Sequence, residues 1–370
     1  MRINIASFGG RTHLLDLARE LDNNGHEVKF YSFVPSKRAE RFGLRRECNK
    51  SYFILAVPFL VLLKITKRSF WSLFLFHYCF DHYVAWFSKP CDIFIGQSPM
   101  HLYALGYIKK KYGAKIILER GTRHVLEQIK TLNSNPALKG KEAMPKIFIE
   151  RDLKGYEVTD YISIPSNAVK ESFLKHAVPF DKLFVNPYGV NLKEFGPTEL
   201  DKTPYDLIIV GQWCYRKGCD LLVEVCQKYN YTLLHVGSII DVKFPRDLNF
   251  KHIDSVEQSA LRKYYSLGKV FVLPSREEGL ALVQPQALMC GLPLVCSIYT
   301  GGSDLKKFID NEEWIIEMKD LSINELNSCI LRGLELANKQ IGKRSYSVDV
   351  SDKLSWSAYG KRYSDFLTSI

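Results

Sequence analysis

The strongest constraint on the fold lies in residues 271–305, FVLPSREEGLALVQPQALMCGLPLVCSIYTGGSDL. An apolar run from Val270 to Leu273 stops at Pro274 and Ser275, and a short polar loop carrying Glu277 and Glu278 leads to Gly279. Residues 280–289 have helix-compatible apolar spacing, Gly291 and Pro293 end that segment, and a second apolar run occupies 294–297. Strand, acidic loop, helix and strand in this order make one unit of a parallel α/β sheet. In an open parallel sheet the ligand crevice lies beyond the carboxyl ends of the strands, at the amino ends of the following helices. Unpaired N–H groups just after Gly279 suit an anion such as a diphosphate, and a neighbouring carboxylate can accept sugar hydroxyls.

The rest of the chain repeats the alternation. Residues 2–8 form a short apolar strand, then come Gly9 and Gly10 and an amphipathic helix over 11–23. Strands are expected at 27–33, 92–97, 115–118 and 161–165, with helices at 102–112, 146–160 and from 167 to about 176. The opening unit is Rossmann-like, yet G-x-G-x-x-G is missing and no acid ends the second strand, so NAD does not follow. A polar stretch at 199–205, flanked by Pro197 and Pro204, is the expected linker, and 136–145 is the expected acceptor loop. Beyond the linker, a strand at 206–210 ends in Gly211, and Arg216, Lys217 and Gly218 precede a helix at 220–228. Two cations between a strand end and a helix amino end form an anion trap. A further strand ends at Gly237, and helices are expected at 258–267, 323–338 and 356–367.

With 370 residues the chain suits two domains. Nine cysteines without a C-x-x-C pair point to a reducing cytoplasm. Residues 51–63 are strongly apolar but too few for a spanning helix, and the first strand is too short for a signal peptide. The net charge of +11 is one-sided: residues 1–197 hold 30 Lys and Arg against 18 Asp and Glu, the remainder 21 against 22. A basic run, Lys37, Arg38, Arg41, Arg45, Arg46 and Lys50, stands near an aromatic belt over 70–86, the composition of a surface that meets anionic lipid. No nucleic-acid recognition module is visible.

The 271–305 stretch resembles the nucleotide-sugar loop of retaining glycosyltransferases of the GT-B fold, family 4, in which Pro-Ser precedes Glu-Gly and a second Glu follows eight positions on. Glu278 is the first carboxylate here, and Gln286 occupies the place of the second. The resemblance extends to Gly9-Gly10, to Arg120-Gly121-Thr122-Arg123-His124, to Tyr188-Gly189-Val190-Asn191 where the family closes on an acid, and to Lys217-Gly218; Gln212 replaces an arginine the family often has. It implies two Rossmann-like domains facing a cleft: an acceptor domain at 1–197, a donor domain at 198–351, and a final helix, about 352–370, crossing back onto the first. It implies His124, Lys217 and Glu278 as catalytic residues. Gly9, Gly10, Gly211, Arg216, Lys217, Gly237, Glu278, Gly279, Leu280, Ala281, Leu282 and Gln286 are the implied donor-binding residues.

The expected activity is transfer of a sugar, with retained configuration, from a nucleotide-diphosphate donor, UDP first, to a glycan or lipid-linked acceptor. No cofactor and no metal are expected, since Arg and Lys can stabilise the leaving diphosphate. The expected setting is envelope polysaccharide assembly in the cytoplasm, with peripheral contact at the inner face of the membrane. A nucleotide-sugar epimerase of the same fold and a non-catalytic nucleotide-sugar-binding scaffold are the alternatives.

Overall fold

The computed structural model describes residues 1–9, 12–134, 136, 144–197, 203–340 and 352–370. Gly10, most of the expected acceptor loop and linker, and the expected domain boundaries at 198 and 351 lie outside the described residues.

Among the described residues two parallel sheets organise the chain. The first has seven strands, β1 (Arg2–Ala6), β2 (Glu27–Ser32), β3 (Asn49–Ser51), β4 (Ile93–Gln97), β5 (Lys115–Glu119), β6 (Tyr161–Ile164) and β7 (Leu183–Val185), in the order β3-β2-β1-β4-β5-β6-β7. The second has six, β8 (Tyr205–Val210), β9 (Leu233–Val236), β10 (Phe250–Ile253), β11 (Gly268–Leu273), β12 (Leu294–Ser297) and β13 (Ile315–Met318), in the order β10-β9-β8-β11-β12-β13. Strands such as LIIV in β8 and FVL in β11 are apolar at consecutive positions and buried throughout, as strands covered on both faces must be. Register follows: Phe271 lies between Ile208 on one side and Leu294 on the other. Each strand order reverses once, between β1 and β4 and between β8 and β11, and the crevice of a doubly wound sheet opens at such a point.

In the first domain, helix α1 (His13–Asn23) buries Leu14, Leu15, Leu17, Ala18 and Leu21. The basic run opens as α2 (Ser36–Arg41), and Arg45 beyond it is held by Asp22 at 2.6 Å. The apolar residues after it form α3 (Phe53–Ile65), and the aromatic belt is α4 (Phe70–Phe87). The belt is divided: Phe76, Phe80 and Val84 are core, whereas Trp71, Tyr78 and Trp86 are exposed. Among the described residues no helix is long and apolar enough to cross a membrane.

The last helix, Trp356–Ser369, returns to the first sheet. Its Ser364 hydroxyl meets His26 at 2.8 Å, Tyr363 donates to the Glu119 carboxylate at 3.4 Å, and Phe366 stacks on Phe184 with centroids 4.0 Å apart. Gly360 is the close point, because a Cβ there would stand 2.2 Å from the Cβ of Glu20 in α1. In a solvent-facing helix Gly→Ala stabilises by about 1 kcal/mol, while overpacking costs about 1–3 kcal/mol. Gly360→Ala is therefore expected to lower the denaturant midpoint; an unchanged or raised midpoint would show that the helix is not docked this closely.

Candidate active site

The loops after β8 and β11 lie side by side at the point where the second sheet reverses, and this brings distant charges together. Gly211 follows β8 and leaves room for the Lys217 stem, its missing Cβ lying 3.2 Å from Cε of the lysine. Arg216 and Lys217 stand in a single 3-10 turn, Tyr215–Lys217, so both side chains reach the acidic loop. Lys217 Nζ donates to Glu278 Oε1 at 2.6 Å, and Arg216 Nη1 donates to the same oxygen and to the Glu277 carbonyl, each at 3.0 Å. Two cations thus converge on one carboxylate oxygen. Arg276, in the same loop, is tied separately to Asp220 by two hydrogen bonds.

Burial pushes the Glu278 carboxyl upward, but the charges and hydrogen bonds of Lys217 and Arg216 outweigh it and hold it below the usual carboxylate range. Glu277 behaves oppositely. It is 1% exposed, and burial together with the charge of Glu278 raises its pKa. Among the described residues its Oε1 has no hydrogen-bond partner. Neighbouring carboxyls are therefore driven apart, one towards the ionised and one towards the neutral form.

The first domain closes on this loop through backbone and amide contacts. Gly279 admits no side chain, since a Cβ would lie 1.8 Å from the Gly121 carbonyl oxygen. Ser166 Oγ donates to the Gly279 carbonyl at 2.8 Å, and the Asn167 N–H donates to Asp304 at 2.7 Å. Gln128 Nε2 donates to Glu277 Oε2 at 3.3 Å, while Arg120 donates to Gln128 Oε1 at 2.9 Å and to buried Asp152 at 2.9 Å. A polar chain thus runs from Asp152 through Arg120 and Gln128 to Glu277, and on to Arg216, Lys217 and Glu278. Arg120 belongs to the Arg120–His124 cluster of the sequence, whereas Gln128 carries no signal of its own and is brought in by the helix one turn on.

The remaining expected residues are placed as follows. Gly237 lies against Gly211, its absent Cβ 1.9 Å from the Gly211 carbonyl, with φ +150°. Gly9 follows β1 with φ +140°. Leu280 and Ala281 are buried, and Leu282 and Gln286 line a cavity of about 200 Å3 whose other wall is Thr12, His13, Asp16 and Asn191. Gln286 Oε1 accepts from the Tyr265 hydroxyl at 3.2 Å. The helix expected from residue 280 begins at Val283, because Pro285 in its first turn would clash with a helical carbonyl at Ala281. That places residues 280–282 in the loop, not in the helix.

His124 packs within the first domain. Its ring stacks on His176 at 4.2 Å with Tyr156 and Phe173 alongside, and its backbone N–H donates to Ser172 Oγ at 2.9 Å. Burial, with smaller contributions from His176 and Arg120, lowers its pKa to about 4. A histidine depressed from 6.5 to about 4 stays neutral in the fold while the unfolded chain takes up its proton, so its stabilisation is full above pH 6.5 and declines as pH falls to 4. His124→Gln is expected to reduce proton uptake on unfolding near pH 5 by about one. An unchanged slope of stability against pH would contradict this burial. Among the described residues no group of three or more His, Cys, Asp or Glu is arranged to hold a metal ion.

The sequence and fold match known proteins along nearly the whole chain. Residues 9–194 match the family model described as Glycosyltransferase Family 4, and residues 204–335 match Glycosyl transferases group 1. An uncharacterised glycosyltransferase of Methanocaldococcus jannaschii is 23% identical over 296 residues, 72% of this chain and 70% of that protein. Sucrose-phosphate synthase from Thermosynechococcus elongatus superposes with a TM-score of 0.67 at 15% identity, covering 100% of this chain and 98% of that one. Anabaena HepE, solved with UDP and glucose, gives 0.64 at 10% identity over 100% and 99% of the two chains. With two facing parallel sheets and family matches on both sides of the linker, the chain belongs to the group 1 glycosyl transferases and has the GT-B fold.

Proposed function

We propose that the protein is a retaining, family 4 hexosyltransferase that takes its sugar from a nucleotide-diphosphate donor, UDP-sugar first, and passes it to a glycan or lipid-linked acceptor in envelope polysaccharide assembly. The observation that carries the reading is the convergence of Lys217 and Arg216 on Glu278 at the reversal point of the second sheet. Structural neighbours support the donor class: HepE was solved with UDP-glucose, and an Escherichia coli trehalose-6-phosphate protein with UDP-2-fluoro glucose.

The chemistry requires loss of a nucleoside diphosphate from an anomeric carbon. Charge grows on the departing phosphate oxygens, and fixed cations aimed at them lower that barrier without reorganising. A diphosphate beside Lys217 and Arg216 would take up their donors, which leaves the Glu278 carboxylate to accept from sugar hydroxyls and orient the donor. Front-face attack, with the leaving phosphate deprotonating the acceptor, retains configuration and needs no metal. The Gln286 amide can hydrogen-bond ribose hydroxyls without a charge. In this reading His124 acts through the loop it anchors, holding Gly121 against Gly279. The acceptor side is the basic first domain, in peripheral contact with anionic lipid at the inner face of the membrane.

Lys217→Ala removes a donor to the leaving group and is expected to cut kcat/KM by about 100-fold or more, in the range seen on deleting one such group. Steady-state donor turnover measures it. Near-wild-type turnover would take Lys217 out of the diphosphate site.

A further inference from the structure

We propose that α3 is an in-plane membrane-inserting helix, seated with its exposed apolar face in the headgroup and acyl boundary of an anionic bilayer. This rests on the membrane-facing acceptor side proposed above and deepens it, from electrostatic contact to insertion.

A helix that is apolar all round is normally buried in a core or in lipid. The sequence of α3, FILAVPFLVLLKI, is apolar at every position but Lys64, yet only Ala56 is buried. Ile54, Val57, Val61 and Ile65 recur at intervals of three and four and form one outward stripe, exposed by 84, 40, 52 and 74%. The inner side is already occupied: Phe59 stacks on Phe76 of α4 with centroids 5.1 Å apart. Trp71, 74% exposed, opens α4 just beyond the turn and is a side chain of the interfacial type. A contiguous exposed surface of this kind marks an interaction site, not ordinary scatter.

Charge selects the occupant. No carboxylate occurs between Glu47 and Asp81, and that interval holds Lys50, Lys64, Lys67 and Arg68. Asp81 itself is buried and paired with Arg151 at 2.6 Å. Exposed Lys64, Lys67 and Arg68 at the carboxyl end of α3 therefore face anionic headgroups without competition from that interval. Length fixes the orientation: thirteen residues rise about 20 Å, too short for a hydrocarbon layer of about 30 Å, so the helix lies in the plane. Between α3 and α4 a cavity of about 190 Å3, lined by Tyr52, Phe59, Phe76 and Tyr83, gives an acyl segment room to enter.

The test is co-sedimentation of the full chain with phosphatidylcholine vesicles, with and without phosphatidylglycerol, at low salt and at about 1 M salt, where screening acts within ~3 Å. Insertion predicts stronger binding to anionic vesicles, a remnant that survives high salt, and a blue shift of Trp71 emission. The Ile54→Asp, Val61→Asp double variant should lose that remnant by about tenfold or more, with an unchanged melting temperature and unchanged donor hydrolysis. Binding that vanishes in high salt and ignores the double variant overturns insertion while leaving the peripheral-contact reading intact. No vesicle binding, or a solution dimer abolished by the same substitutions, overturns the membrane as occupant. Donor turnover with a water-soluble acceptor then decides the transferase reading separately.

Discussion

The hydrogen bonds of Lys217 and Arg216 to one oxygen of Glu278 are the contact around which the second domain's crevice is arranged. Holding charged groups away from water costs several kcal/mol per ion, and an apolar cluster of equal volume is often as stable or more so. The local fold nonetheless concentrates on making the triad possible. Gly211 makes space for the lysine stem, Gly237 lets a neighbouring loop close over the Gly211 carbonyl, and β8 and β11 are adjacent only because the strand order reverses there. This local charge cluster stands at the place where doubly wound sheets bind ligands, and the proposed diphosphate site rests on it.

The two domains meet at the same loop. Gly279 packs directly against Gly121, and the hydrogen bond from Gln128 to Glu277 continues the charge network into the first domain. Burial and the charge of Glu278 raise the pKa of Glu277, while Arg216, Arg120 and the hydrogen bond from Gln128 oppose that shift. The return of the last helix to α1 ties the end of the chain to the first sheet.

Much of this was legible from residues alone. Apolar runs ending in glycine or in Pro-Ser marked the central strands, and the Lys-Gly and Glu-Gly pairs marked the loops that the fold brings together. What sequence left hidden is non-local. Nothing near Gln128 signals a partner 149 positions away, and the burial of Glu277 Oε1 without a hydrogen-bond partner among the described residues is equally absent from the local sequence. Apolar spacing alone extends the 283–289 helix back through 280–282, while Pro285 blocks the helical turn before it and the helix starts at Val283. For His124 the motif implies a site residue, while the packing of its ring among Tyr156, Phe173 and His176 is a non-local contact set that motif spacing does not encode. For α3, composition fixed its apolar character but not its surroundings, since hydropathy reads the same for a core helix and for one left uncovered.

As proposed, the Lys217, Arg216 and Glu278 cluster is a nucleoside-diphosphate site. Its most direct test is the thermal stability of the whole chain titrated with UDP, GDP and ADP. A ligand that binds only the folded state stabilises it by about 2.7 kcal/mol at a hundredfold excess over its Kd. Such a rise is expected for at least one of the three, UDP first, and its loss in Lys217→Ala. No stabilisation by any of them would contradict it.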